Sequence, residues 1–343
     1  MDSARAVSGA SSLDKGPVAE PIGRADVPKA LSLFRFMVMS RTVDRIEMEL
    51  VNRGEAFFHV GGAGHESSVA FIHHLRPDDW LHPHYRDKAL LLARGVSAEQ
   101  FFHGLLGSDK SSSLGRQMCA HLSAPEFNVL TMAGPVGNNA LPAVGVAHEI
   151  IASLRRSRAA TNGAGLGSEA SLPLVICSNG DSTSQQGEFL EAIAEAVRAE
   201  LPVIFLIEDN GYGISTLTAG NTFYDLPSGP ASEFYGLPIH RLDGQDVIAC
   251  SHALGPIVQS VRRGRPALVV MEVERLTHHT NADDERVYRD EEELVEVRHR
   301  ADPIERLRAR LLASEVPEKD LSAIVATVER EVREAAERAL VTP

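Results

Sequence analysis

Cysteine is scarce in this chain: Cys119, Cys177 and Cys250 are scattered and form no CxxC pair. That spacing excludes a disulfide framework and a zinc knuckle, and isolated thiols suit a reducing cytoplasm, the expected location. Basic runs are missing as well. With 34 Lys and Arg against 47 Asp and Glu, the formal charge is −13. Such a charge repels phosphodiester backbones and anionic lipid, so neither nucleic acid nor a membrane surface is an expected partner. No stretch approaches the roughly 20 apolar residues of a membrane helix, and the N-terminus lacks an apolar signal core, so the chain reads as soluble and unexported. A phosphate loop of the GxxxxGK[ST] kind is also absent. What is present is ample core material: 43% of the 343 residues are hydrophobic and 24% charged, the balance of a globular, enzyme-sized unit.

Residues 1–26 mix small, polar and Pro/Gly residues without a period and read as a flexible tail, while residues 27–343 read as a single α/β domain with C-terminal helices. Over residues 30–51 apolar side chains recur at helical spacing, among them Leu33, Phe36, Met37 and Val43, and residues 97–106 repeat the pattern with Ser97 as N-cap. Residues 155–173 turn to Gly, Ala and Ser, a surface excursion within the domain. Three short apolar runs follow, at 174–177, 203–207 and 267–273; a polar turn and a helix over 188–199 separate the first two, and a charged helix ending near Arg265 precedes the third. Runs of this length, apolar on both faces and alternating with helices, predict a doubly wound parallel sheet with helices on both faces. Strand-then-loop units of one sense bring their loops to the carboxyl edge of the sheet, where such folds bind ligands. From Asp290 onward the Glu/Arg-rich sequence is expected to be helical, with Asp302-Pro303 as cap and first helical position and its charges forming a solvated face or a subunit contact.

The first strand runs into Gly180-Asp181-Ser182 and the second into Asp209-Asn210-Gly211-Tyr212-Gly213, so Asp181 and Asn210 should meet at one edge. Neighbouring strands lie about 4.8 Å apart, and a dication with ligands at about 2.1 Å can bridge side chains converging from two strand ends. Oxygen-only donors suit Mg2+, with water and phosphate completing its octahedron. Gly180, Gly211 and Gly213 permit close backbone approach, and the helix opening near Gly187 aims free N–H groups at the same region. Each Asp-Ser or Asn-Gly pair alone is also an ordinary turn former. Their combination at fixed spacing is what points to a ligand.

The segment GDSTSQQGEFLEAIAEAVRAELPVIFLIEDNGYGIST resembles the thiamine-diphosphate motif of the alpha subunits of 2-oxoacid dehydrogenases, which opens with Gly-Asp-Gly and closes with Asn-Asn. Asp181 and Asn210 stand 29 positions apart (210 minus 181), the register of that family. The segments FFHVGGAGHESS (57–68), HPHYRD (82–87), GRQMCAH (115–121), GPVGNNALPAVG (134–145) and RLTHHTNADDERVYR (275–289) follow in the family's order, so the resemblance covers roughly residues 30–312. GRQM and HHTNADD are closer to the branched-chain member than to the pyruvate one. The resemblance implies that Asp181, Asn210 and the Tyr212 carbonyl hold Mg2+, which grips the diphosphate of thiamine diphosphate beside Gly180 and Ser182. It further implies that Tyr85 and Arg86 contact the diphosphate, that Val136 supports the bent cofactor's rings, and that Arg275 and the catalytic His279 lie on the loop over the diphosphate. An arginine fork suits phosphate oxygens, and a histidine beside a 2-oxoacid can orient a carboxylate or shuttle protons near neutral pH. His59, His65, His82, His84 and His278 rank below it, as residues of which one or two line the pocket. The implied activity is decarboxylation of a 2-oxoacid, branched-chain or pyruvate, with the acyl group passing to a lipoyl-bearing acyltransferase. The implied assembly is a heterotetramer of two alpha and two beta chains, in which the beta subunit supplies the catalytic glutamate.

Three positions depart from the family pattern. Ser182 stands where the motif has its third glycine, at a cost of about 1 kcal/mol if the site needs positive φ. Asp209 replaces the first Asn of the closing pair and adds charge near the metal. Gly137-Asn138-Asn139 takes the place of an Ala-Thr-Gln triplet associated with potassium in the branched-chain pattern, so that site is not carried over. Thr280 matches the family's regulatory serine position. Three alternatives stay open: a non-catalytic paralogue that has lost the cofactor, which Ser182 would explain; an acetoin-type thiamine-dependent enzyme; and a Mg2+-dependent phosphoryl-transfer enzyme, against which the missing phosphate loop counts.

Overall fold

The computed structural model describes residues 20–132, 134–160 and 171–341, and the three apolar runs form the centre of its main sheet. In chain order the strands are β1 (Trp80–His82), β2 (Val175–Gly180), β3 (Val203–Asp209), β4 (Glu233–Phe234), β5 (Leu237–Asp243) and β6 (Ala267–Glu272). They lie side by side as β1-β2-β3-β6-β5-β4, parallel throughout except for the antiparallel edge pair of β4 with β5. The helices are α1 (Val27–Asn52), α2 (Lys88–Arg94), α3 (Ala98–Leu105), α4 (Ala140–Ala160), α5 (Gly187–Arg198), α6 (Val247–Val261), α7 (Glu291–Arg300), α8 (Pro303–Ala313) and α9 (Glu318–Val341).

Side chains of a strand alternate between its faces, and here the alternation divides the core in two. Ile176, Ile204, Leu206, Val269 and Met271 join a cluster with Leu33 of α1, Leu90 of α2, Phe101 of α3, Leu254 of α6, Leu307 of α8 and Val328 of α9. Val175, Cys177, Phe205, Ile207 and Val270 join the opposite cluster with Val144 of α4 and Phe189 of α5. Strands apolar on both faces are therefore covered by helices on both faces.

Local signals hold where they are chemically specific. Ser97 caps α3 by accepting from the Gln100 amide (3.3 Å), and Asp302 caps α8 by accepting from the Ile304 amide (2.9 Å), with Pro303 as the first helical residue. Two expectations change. The helix before β6 is not charged: α6 contains no Asp, Glu, Lys or Arg, and Arg262, Arg263 and Arg265 belong to the turn after it. The charges of α9 do more than meet solvent, because Glu331 pairs with Arg35 (2.5 Å), Glu329 with Arg45 of α1, and Arg338 with Glu99 of α3 (2.8 Å).

Of the tail expected over residues 1–26, residues 1–19 lie outside the described residues. Ile22 is buried, and its amide donates to the Ser314 hydroxyl (2.6 Å) after α8. Residues 161–170 of the excursion at 155–173 also lie outside the described residues. Among the described residues no helix is long and apolar enough to cross a membrane.

Candidate cofactor site

Parallel registers fix what meets at the carboxyl edge. Gly180 pairs with Glu208 and Glu272 with Asp209, so the loops after β2, β3 and β6 leave the sheet together. Asp181 therefore continues level with Asp209, one residue from Asn210. Asp181 is buried, opens a single 3-10 turn, and accepts from the Thr218 hydroxyl. The Asn210 side-chain oxygen accepts from the Tyr212 amide (3.1 Å), while its nitrogen lies 3.4 Å from His65 Nε2. Asp209 accepts from the Tyr224 hydroxyl and the Gly211 amide, both at 3.0 Å. Burial, and then the neighbouring Asp181 charge, push the Asp209 carboxyl up to about 6. Two mutually repelling carboxyl groups beside an amide oxygen form a donor set that a hard dication relieves.

Ser182, the departure from Gly-Asp-Gly, is not among the residues with positive φ, so the backbone penalty weighed above does not arise. It is exposed, and the chain opposite makes room for it: a Cβ added to Gly213 would lie only 2.7 Å from the Ser182 Cβ.

A second group of side chains is cationic. Arg86 is 2% exposed and donates to the Gly61 carbonyl, to His279 Nδ1 (3.0 Å) and to the His279 carbonyl (3.3 Å). Arg275, 1% exposed, donates to the Ile214 carbonyl (2.9 Å) and the Tyr288 hydroxyl (2.5 Å), and its Nε has no partner. The Tyr288 hydroxyl donates to Asp283 (2.6 Å), which also accepts from the His279 amide (2.9 Å). Arg275 also lies over the Tyr212 ring, 5.6 Å from its centroid. Among the described residues neither Arg86 nor Arg275 forms an ion pair; their bonds go to carbonyls, an imidazole and a hydroxyl. Two buried guanidinium groups without a carboxylate are suited to a polyanion. Burial, then Arg86 and Arg275, push His279 down to about 4. The ring is thus neutral at pH 7, and because Arg86 donates to Nδ1, the proton belongs on Nε2.

Tyr85 stacks near His121 (centroids 6.1 Å apart, planes at 20°) and packs against His84 at 3.8 Å. With Val136, which is 43% exposed, these rings line a cavity of about 20 Å³. A Cβ built on Gly180 would lie 3.7 Å from His84 Nε2, which joins this pocket to the end of β2. Asn139 of the Gly137-Asn138-Asn139 triplet is buried and bonds the Ser178 carbonyl of β2 (2.9 Å). Thr280 is half-buried, with its hydroxyl accepting from the Ala282 amide (3.2 Å).

Two buried clusters were not singled out from the sequence. Glu208 sits between His65 (3.0 Å) and His84 (3.6 Å); burial alone would raise its carboxyl, but the two imidazoles outweigh burial and hold it at about 2. An acid ending the apolar run VIFLI is the only local signal for it. Beneath the Arg86 loop, Lys88 donates to Asp44 and Glu47, and His59 lies 3.3 Å from Glu47. The same Asp44 accepts from the Gly62 amide (2.6 Å), and the His59 amide donates to Asn281 (2.8 Å), so this cluster ties α1 to the loop that carries His279.

A sequence model of the dehydrogenase E1 component family matches residues 34–343. The 2-oxoisovalerate dehydrogenase subunit alpha, mitochondrial, of Caenorhabditis elegans is 28% identical over 286 residues, which cover 82% of this chain and 62% of that protein. The Homo sapiens protein of the same name is 29% identical over 305 residues, 87% of this chain and 64% of its own. The alpha 1 protein of Arabidopsis thaliana is 28% identical over 283 residues, 81% and 56% respectively. The chain thus spans less than two-thirds of the length of these curated relatives. With the match running from the first long helix to the last residue, the chain belongs to the dehydrogenase E1 component family.

Proposed function

We propose that this chain is the alpha-type component of a thiamine-diphosphate-dependent 2-oxoacid dehydrogenase that decarboxylates a branched-chain 2-oxoacid. The observation that carries the reading is a buried acid, Asp181, and a half-buried amide, Asn210, on adjacent strand ends, together with two buried guanidinium groups that no carboxylate among the described residues pairs with. A magnesium-bound diphosphate satisfies both halves at once. Asp181, Asn210 and the Tyr212 carbonyl would hold Mg2+, Arg275 with its unpartnered Nε and Arg86 would take phosphate oxygens, Gly180 and Ser182 would border the diphosphate, and Tyr85 and Val136 would pack against the rings. When bound, the thiamine ring supplies the electron sink that decarboxylation needs. His279, neutral and with its proton on Nε2, would donate to the substrate carboxylate or carbonyl.

In this reading the glutamate that activates the cofactor comes from a beta-type partner in a heterotetramer of two alpha and two beta chains, and the acyl group leaves on a lipoyl-bearing acyltransferase. Apolar side chains left exposed on the matching segments support such a covered face: Phe57 at 93%, Val287 at 83% and Met118 at 51%. The names of the relatives favour the branched-chain substrate over pyruvate. Ser182 lacks the positive φ that would penalise a serine, which counts against a paralogue that has lost the cofactor. A cytoplasmic location remains part of the proposal, on the strength of three buried free thiols.

The test is thermal unfolding of the chain assembled with its beta-type partner, titrated with thiamine diphosphate and Mg2+. At 100 times the dissociation constant the ligand adds about 2.7 kcal/mol of stability. Carbon dioxide release is then assayed from 2-oxoisovalerate and pyruvate, and acetaldehyde release from acetoin. No thermal shift in a correctly assembled complex overturns the cofactor assignment; turnover of pyruvate alone overturns the branched-chain one.

A further inference from the structure

We infer that Glu208 is a positioning residue that acts through His65 to aim the amide oxygen of Asn210 at the cation; the inference rests on the proposed cofactor site and deepens it. Glu208 ends the run VIFLI with a carboxylate that has no exposure to solvent. An apolar residue would continue the strand, and burying an acid there is costly unless its bonds serve a purpose. Its Oε2 lies 3.0 Å from His65 Nδ1, and His65 is itself fully buried. A carboxylate only accepts, so the proton of that ring belongs on Nδ1 and Nε2 is left as an acceptor. Nε2 in turn faces Asn210 Nδ2 at 3.4 Å.

The orientation of Asn210 is therefore fixed from two sides. Its N–H group turns toward His65, and its oxygen, on the other side of the same planar group, accepts from the Tyr212 amide (3.1 Å). The distinction matters chemically, because Mg2+ takes an amide oxygen and rejects the NH2 group. Without the relay the Tyr212 amide alone would hold the oxygen end in place. The same Glu208 oxygen lies 3.6 Å from His84, whose ring packs 3.8 Å from that of Tyr85. One carboxylate thus lies between the loop after β1 and the residue that holds the amide after β3. Partners of this kind around a metal ligand typically change affinity by about 10–100-fold when removed.

The experiment uses the assembled complex at saturating thiamine diphosphate, with Mg2+ alone as the probe and the thermal shift as readout, alongside kcat at each Mg2+ concentration. His65→Met removes both ring nitrogens at similar volume. It should raise the half-saturating Mg2+ concentration about 10–100-fold, with kcat returning at high Mg2+. His65→Gln keeps a donor for Glu208 and an acceptor for Asn210, and should hold the wild-type Mg2+ dependence. Glu208→Met carries the test if His65→Met does not assemble: it removes the acceptor that holds the ring proton on Nδ1, so Nε2 is no longer kept as an acceptor for Asn210, and the same loss should follow. A His65→Met or Glu208→Met complex with the wild-type Mg2+ dependence overturns the relay, as does a His65→Gln complex as weak as His65→Met. A wild-type complex with no response to cofactor and Mg2+ overturns the cofactor site itself, and the relay with it.

Discussion

Replacing Lys88 with methionine removes the ammonium group that neutralises a buried acidic cluster. Asp44, Glu47 and Lys88 are 5%, 0% and 1% exposed, and the lysine donates to both acids. One Glu47 oxygen already lacks a partner, so without Lys88 the carboxylates keep only the Gly62 amide on Asp44 (2.6 Å) and His59, at 3.3 and 3.6 Å. Methionine fills a similar volume, which leaves charge as the main loss. Removing one partner of a buried pair costs about 3–5 kcal/mol. At about 2.1 cal/mol/K per residue, the unfolding entropy of 343 residues is about 0.7 kcal/mol/K, so Tm should fall by about 4–7 °C. The loss should depend on pH in a defined sense. In the wild type, Lys88 overcomes the burial that would raise Asp44 and holds its carboxyl below the usual range, so its contribution is present above the unfolded value and is lost as pH falls through the folded one. In Lys88→Met, burial without the ammonium should raise the Asp44 carboxyl, and protonation relieves the variant as pH falls. Calorimetric melts at pH 7 and pH 5 should therefore show a smaller deficit at pH 5, and adding Asp44→Asn with Glu47→Gln should recover most of it. A deficit below about 1 kcal/mol, or one equal at both pH values, would refute the reasoning.

Gly213→Ala should cost about 1–3 kcal/mol in chemical denaturation, because its Cβ lands 2.7 Å from that of Ser182; adding Ser182→Gly should recover much of the loss, and strictly additive effects would dismiss the contact. His279 is held at about 4 by burial and then Arg86 and Arg275, so the unfolded chain binds more protons between that value and about 6.5. Stability should accordingly fall more steeply in the wild type than in His279→Asn as pH drops through that window; parallel curves would contradict it. In Arg86→Met, the His279 titration followed by NMR should move upward, and an unmoved titration would remove Arg86 as a cause.

The sheet centre was legible because β2, β3 and β6 are buried on both faces and so appear as uninterrupted apolar runs. The edges were not. β1 is three residues long, and β5 is half-buried along most of its length, so neither leaves a periodic signature. For α6, the cluster Arg262, Arg263 and Arg265 follows the helix without a break in the sequence pattern, so its charges look like part of it. At the site, Asp181 and Asn210 stood out because each lies within four residues of the end of an apolar run, with a fixed spacing between them. Glu208 acquires meaning only from His65, 143 residues away, and Lys88 only from Asp44, 44 residues away. Such pairings are set by tertiary packing and carry no local pattern. The room for the Ser182 side chain depends likewise on the missing Cβ of Gly213 opposite, which a reading of one motif at a time does not join.

The most direct measurement is an anomalous diffraction map from crystals of the assembled complex grown with thiamine diphosphate and Mn2+ in place of Mg2+. The predicted result is a single metal peak bonded to oxygens of Asp181 and Asn210, with Arg275 on the diphosphate. Bound cofactor with its metal elsewhere, or with those two side chains turned into separate cavities, would contradict the assignment.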